Sequence, residues 1–157
     1  SGPGSLQDEV LDLQALTHQA LALQAPEQVA RVQFSAAPAL PAWPQVRGDA
    51  RLLLFALLNL LDNALKFGER AVIAIDDSSD REVVIHITDD GPGIPEAELE
   101  AVLQPFYRVE TSRNRDTGGT GLGLAIAAQL TAQLEGKLNL TNRAGGGLDV
   151  SITLPRR

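Results

Sequence analysis

LLLFALLNLLDNALKF, residues 52–67, decides the fold. At helical spacing this run is apolar almost all the way round, which predicts a long helix with most of its surface buried. Two amides interrupt it. Asn59 and Asn63 stand four apart, one turn above the other, and Lys66 and Phe67 continue the same stripe. A buried amide without a partner costs about 1–3 kcal/mol, so two on one face point to a ligand or a polar network that satisfies them. Asp49 is the predicted N-cap of this helix and Gly68 its end.

Working outward, Leu6 to about Leu23 reads as an amphipathic helix with acidic residues in its first turns. Residues 28–35 alternate as a short strand, and APALPAWPQVRG (37–48) reads as a proline-rich loop. Beyond Gly68, residues 71–76 and 82–88 are β-branched runs joined by a polar turn, a predicted hairpin. Pro95 followed by EAELEAV predicts a short helix with an acidic start. Residues 104–118 lack periodicity and read as a long mobile loop, a kind usually functional or disordered in compact domains. A helix from about Leu122 to Leu134 and a last hairpin, KLNLTN and LDVSITLP joined by RAGGG, close the chain. Alternating helix and strand segments favour an α/β class.

The chain has 157 residues, enough for one domain with a sizeable core. A formal net charge of −7 argues against a nucleic-acid surface. No apolar run is long enough to cross a membrane, so this chain is not expected to be membrane-embedded. The absence of cysteine excludes disulfides and thiolate metal sites, and is compatible with a reducing cytosol. With no methionine either, the chain is expected to be a piece of a larger protein. Ser1 to Ser5 (SGPGS) is read as a cloning remnant, leaving 6–157 as the domain.

Three further features bear on chemistry. Asp89 ends the predicted strand VVIHIT just before Gly91-Pro92-Gly93-Ile94. A carboxylate there can accept a hydrogen bond from an exocyclic amine such as adenine N6, with glycines allowing close backbone approach; taken alone, the segment reads more readily as an ordinary Asp-Gly turn. Gly118-Gly119-Thr120-Gly121-Leu122-Gly123 runs straight into an apolar helix, and free N–H groups at a helix start suit a phosphate. It fits neither the dinucleotide fingerprint nor a P-loop; a glycine hinge is the alternative. Asn59 suits an oxygen-liganded metal such as magnesium, and Asn63 can reach the same metal or the phosphates. Lys66 adds a point charge and Phe67 an apolar wall. Arg108 and Arg113 in the long loop can close over a γ-phosphate, or be solvated loop charges. His18 and His86 are read as surface residues outside catalysis.

In this order the motifs resemble those of the catalytic and ATP-binding domain of bacterial sensor histidine kinases in two-component systems. NLLDNALKF is similar to the N box, DDGPGIP to the G1 box, QPFYR to the F box and GGTGLGLAIA to the G2 box. The match covers about Leu6 to Pro155. It implies the Bergerat (GHKL) fold, a two-layer α/β sandwich: a mixed sheet of about five strands, three main helices on one face, and a mobile ATP lid at about 104–120. It implies ATP and Mg²⁺ as cofactors, with Asn59 on the metal and Asn63 and Lys66 on metal or phosphates. Phe67, where the family more often has tyrosine, would line the adenine pocket with Gly91, Gly93 and Ile94, and Asp89 would read the adenine amine. Gly119, Thr120, Gly121, Leu122 and Gly123 would form the phosphate-side hinge of the lid, with Arg108 and Arg113 as γ-phosphate contacts.

Related ATPases of the gyrase, Hsp90 and mismatch-repair type carry glutamate where this chain has Asn59. That carboxylate is a general base for water, and an amide cannot take the proton. Poor hydrolysis is therefore expected, with ATP kept for another nucleophile. The resemblance implies that this nucleophile is a histidine on a separate dimerisation domain, with a response regulator downstream. His18 lies in LTHQAL with no acidic residue following it, so negligible self-phosphorylation is expected. The chain itself is expected to be a monomeric cytoplasmic domain of an inner-membrane parent. The rival readings are a non-catalytic nucleotide-binding interaction module and a hydrolase of the same superfamily.

Overall fold

In the computed structural model, which describes residues 6–35, 45–104 and 123–156, two short strands and a five-stranded sheet alternate with helices. The order is β1 (Glu9–Val10), α1 (Leu13–Ala22), α2 (Pro26–Val29), β2 (Val32–Ser35), β3 (Arg47–Gly48), α3 (Ala50–Phe67), β4 (Ala71–Asp76) and β5 (Glu82–Asp89). Two 3-10 turns (Glu96–Glu98 and Ala101–Leu103), α4 (Gly123–Gln133), β6 (Lys137–Asn142) and β7 (Leu148–Pro155) complete it.

The long helix forms as its residues predict. The Asp49 side chain accepts from Arg51 N at 3.0 Å, capping α3, and Gly68 ends the helix with its N–H on the Ala64 carbonyl. Leu53, Leu57, Leu60 and Leu61 are fully buried, each worth about 1.5–3 kcal/mol of transfer from water.

The main sheet is mixed, with strand order β2-β4-β5-β7-β6. β2 runs parallel to β4, the two joined across α3, and the remaining neighbours are antiparallel. Both predicted hairpins, β4–β5 and β6–β7, are present. Alternation sets the faces. Val83, Ile85 and Ile87 of β5 and Val150, Ile152 and Leu154 of β7 are buried under α1, α3 and α4. The result is the expected two-layer α/β sandwich.

Three local expectations need correction. The first helix starts at Leu13, because Asp12 caps it by accepting from Ala15 N at 3.0 Å. Glu9 and Val10 pair instead with Gly48 and Arg47, which leaves Leu6 and Val10 at 56% and 49% exposure where an amphipathic helix would have buried them. The strand expected from residue 28 starts at Val32, since Pro26 opens the short helix α2. The segment after Pro95 forms two 3-10 turns in place of one helix.

On the face of the sheet away from the helices, His86 alternates outward as predicted. It is only partly exposed there, and its Nδ1 lies 3.1 Å from Asp149 Oδ2 while Thr88 donates to Asp149 Oδ1 at 3.1 Å. His18 is exposed, its ring stacked on Phe34 with centroids 4.3 Å apart. Among the described residues, no helix is long and apolar enough to cross a membrane.

Candidate functional site

Asn59, Asn63 and Lys66 come to the site on one helix, so their spacing is set by the α-helical repeat of α3. Asn59 is half-buried and donates from Nδ2 to the Phe55 carbonyl at 2.8 Å. That commits the N–H end of the amide and presents its oxygen, the atom a hard cation takes. Asn63 is half-buried too, and its Nδ2 is buried with no hydrogen-bond partner among the described residues. A buried donor in that state is costly by itself and matched to an incoming oxygen acceptor. Lys66 is exposed in the last turn, and Phe67 is half-buried at the end of the helix.

The second half of the site is the end of β5. Asp89 is 1% exposed, and its Oδ1 accepts from Gly91 N at 2.8 Å. Gly91 lies against the end of α3 so closely that a Cβ there would stand 2.7 Å from the Phe67 carbonyl oxygen. Only glycine gives the turn this approach. Strand end and helix end thus converge: Asp89, Gly91 and Phe67 form one wall.

Residues with no sequence signal of function hold that wall together. Arg31, just before β2, donates from Nε to the Glu69 carbonyl at 2.7 Å and from Nη2 to the Leu65 and Gly68 carbonyls at 2.6 Å each. It satisfies the carbonyls orphaned at the end of α3. Asp90 accepts from Glu69 N at 2.8 Å and Arg70 N at 3.0 Å. The N–H groups of Arg70 and then Glu69 hold its carboxyl below the usual carboxylate range. From the opposite side, the β6–β7 turn brings the Gly147 backbone against the Asp89 carbonyl. The side chain of Asn142 accepts from Ile94 N at 2.9 Å.

Gly93 and Ile94 lie on this far side of the glycine turn. Gly93 has φ +75°, Ile94 is buried, and with Asn142 and Gly147 they line a cleft of about 340 Å³. Gly123 opens the described part of α4, which packs along α3. The predicted residues Arg108, Arg113, Gly119, Thr120, Gly121 and Leu122 lie outside the described residues, as does most of the expected lid. Among the described residues, no three His, Cys, Asp or Glu side chains gather as a metal site. A cation here would rely on amide oxygens, phosphates and water, a donor set that fits magnesium.

Arg31, Asp90, Asn142 and Gly147 were not legible as site residues. Asn142 ends an alternating strand and Gly147 sits in RAGGG, which reads as an ordinary hairpin turn. A hint lay in the three consecutive glycines, more than a tight turn needs.

Comparison with known proteins places this geometry in context. Residues 48–157 match the family described as histidine kinase-, DNA gyrase B-, and HSP90-like ATPase. The chain is 47% identical over 98 residues to the sensor histidine kinase GtrS of Pseudomonas aeruginosa, covering 62% of this chain and 20% of that protein. It is 36% identical over 116 residues to the sensor histidine kinase CpxA of Escherichia coli, covering 72% of this chain and 24% of that one. It therefore spans about a fifth to a quarter of the length of these relatives. Among solved structures, the mycobacterial sensor histidine kinase MprB superposes with TM-score 0.77 at 29% identity, covering 96% of this chain and 99% of that one. Full-length ShkA, solved with AMPPNP, superposes with TM-score 0.79 at 24% identity over 99% of this chain and 32% of that one, a likeness of fold.

Proposed function

The chain belongs to the histidine kinase-, DNA gyrase B- and HSP90-like ATPase family, as the ATP-binding catalytic domain of a sensor histidine kinase, and from that membership we propose how it works. It binds Mg-ATP where the end of α3 meets the end of β5, and donates the γ-phosphoryl to a histidine of a separate dimerisation domain. The observation that carries this reading is the buried Nδ2 of Asn63, without a hydrogen-bond partner among the described residues, one turn from Asn59 and beside the wall of Asp89, Gly91 and Phe67. A folded helix keeps a costly orphan donor where a ligand supplies its acceptor.

Each residue takes a role its chemistry allows. Asp89 accepts from the adenine amine, with Phe67, Gly91, Gly93 and Ile94 shaping the pocket. Asn63 donates to phosphate oxygens, and Lys66 adds a mobile positive charge near them. Asn59, with the oxygen of Asn63, would hold Mg²⁺, which when bound neutralises charge on the phosphates. In this reading residues 6–157 are the catalytic domain and about 104–120 the lid. Gly119, Thr120, Gly121, Leu122 and Gly123 meet the phosphates, and Arg108 and Arg113 meet the γ-phosphoryl. In the transfer, the imidazole nitrogen of the acceptor attacks the γ-phosphorus, a P–N bond forms, the bond to the bridging oxygen breaks and ADP leaves. The chain contributes positioning and charge stabilisation. Asn59 has no basic oxygen to activate water, which disfavours hydrolysis. The parent protein would sit in the bacterial inner membrane, with this domain cytoplasmic and a response regulator downstream.

Calorimetric titration of a non-hydrolysable ATP analogue, with and without Mg²⁺, tests the binding half. Magnesium-assisted binding that Asp89→Asn loses is expected; no binding at millimolar nucleotide would refute it. Supplying a histidine-bearing dimerisation domain and γ-labelled ATP tests the transfer half. Label should appear on the added domain and not on this chain, and Asn59→Ala should abolish it. Transfer that survives Asn59→Ala would remove the metal role from that residue.

A further inference from the structure

We infer that Asn142 is the positioning residue of the nucleobase pocket. It acts through Ile94 by clamping the far end of the glycine turn that follows Asp89. This inference rests on the nucleotide reading above.

The turn from Asp89 to Ile94 has to present a buried carboxylate in one orientation, and its two ends are held differently. At the near end, Asp89 pairs with Leu148 in the β5–β7 ladder, and the Gly147 backbone lies close against its carbonyl. The ladder stops there. At the far end no strand continues, and the Asn142 side chain takes over. Its Oδ1 accepts from Ile94 N at 2.9 Å, and its Nδ2 donates to the Ile94 carbonyl at 2.5 Å. A carboxamide carries one acceptor and one donor group in a plane, so it can satisfy both backbone groups of a single residue. It substitutes for the missing rung of the sheet. A third bond, from Nδ2 to Glu96 Oε1 at 3.0 Å, extends the clamp past Pro95.

Gly93 shows how closely the clamp is fitted. Its φ of +75° is the left-handed conformation that side chains rarely adopt, and a Cβ there would lie 2.6 Å from Asn142 Oδ1. The turn between the two anchors contains Asp90, Gly91, Pro92 and Gly93. With two glycines in it, it has little intrinsic preference for one shape. Asp90 pins the start of the turn to the N–H groups of Glu69 and Arg70. Releasing Ile94 therefore loosens it from Gly91 onward, and the Gly91 N–H is the group that orients the Asp89 carboxylate at 2.8 Å. The carboxylate that reads the exocyclic amine loses its fixed direction, although Asn142 itself lies on the other side of the turn.

A residue that only stabilised the fold would lower the unfolding temperature without altering base preference. Positioning predicts a change in discrimination. ADP carries the exocyclic amine and IDP does not, so their affinity ratio reports how well Asp89 is aligned. Affinities of this chain for both nucleotides should be measured by calorimetry at a temperature where circular dichroism shows each variant folded. The unaltered chain is expected to favour ADP by at least about tenfold, about one well-made hydrogen bond. Asn142→Ala should weaken ADP by about tenfold, leave IDP nearly unchanged, and bring the ratio close to one. Asn142→Ser keeps a single hydroxyl that can serve one Ile94 group at a time, and its ratio should fall in between. Should the alanine variant fail to fold, the serine variant carries the test. An unaltered ADP:IDP ratio in whichever variant is folded overturns the role of Asn142 and leaves the nucleotide reading standing. Failure of the unaltered chain to bind ADP overturns that reading, and this inference with it.

Discussion

Replacing Asn63 by leucine should make the nucleotide-free chain more stable while destroying its nucleotide site. The Asn63 Nδ2 is buried without a hydrogen-bond partner among the described residues, and an orphan donor of this kind costs about 1–3 kcal/mol. Leucine has a similar reach from the helix, carries no donor, and adds apolar surface on the face of the buried Leu60, one turn earlier in the same helix. Its higher helix propensity contributes in the same direction. Asn63 is half-buried, so the lower part of the range applies. A gain of about 1–2 kcal/mol is expected, worth about 2–4 °C in Tm per kcal/mol for a chain of this size. Urea unfolding without nucleotide should show a higher midpoint at unchanged slope, because the surface exposed on unfolding is the same. With Mg-ADP at a hundred times its dissociation constant, the unaltered chain should gain about 2.7 kcal/mol and Asn63→Leu almost none. The order of stabilities then reverses on adding ligand. A lower urea midpoint for nucleotide-free Asn63→Leu, with the slope unchanged, would refute the reasoning, since the amide would then be earning its place without a ligand.

Two further predictions concern how the site is held. Asp49 is buried and paired with Arg51 at 2.8 Å, and its carboxyl is held well below the usual range by the Arg51 guanidinium first, then by the backbone N–H groups of Gln7 and Arg51. A depressed folded pKa means that the unfolded chain takes up the proton first. The stabilisation is fully present above the unfolded value of about 4 and is lost as pH falls toward the folded one. Asp49→Asn keeps a competent helix cap but loses the charge, so it should be less stable at pH 7 and show a shallower loss between pH 5 and 2 in urea titrations. An identical acid limb would remove Asp49 from that linkage. Gly91→Ala places a methyl group 2.7 Å from the Phe67 carbonyl oxygen; it should cost about 1–3 kcal/mol in thermal unfolding, the usual range for overpacking, and weaken nucleotide binding more than Tm alone accounts for.

Much of this fold was legible because its signals are local. Helix α3 has a capping Asp49, a terminating Gly68 and an unbroken apolar run between them. Strands β4, β5 and β7 alternate strictly, and that period of two decides which face meets the helices before any partner is known. The N-terminal segment misled for the same reason. Leu6 and Val10 share a helical spacing, but the bonds of Glu9 and Val10 to Arg47 and Gly48, far along the chain, outweigh it. Local propensity is a weak prior wherever tertiary pairing competes with it.

By itself, then, the sequence determined the long helix α3, the hairpins β4–β5 and β6–β7, their buried faces and the polar stripe of Asn59, Asn63 and Lys66, since each depends on neighbours within one or two turns or a single hairpin. Only the tertiary structure decided which strand ends meet which helix ends. The parallel pairing of β2 with β4, the Arg31 cap on α3 and the Asn142 clamp on Ile94 join residues 34 or more positions apart. No periodicity encodes such pairings, because they arise when chain segments far apart in sequence satisfy each other's hydrogen bonds while burying one common core.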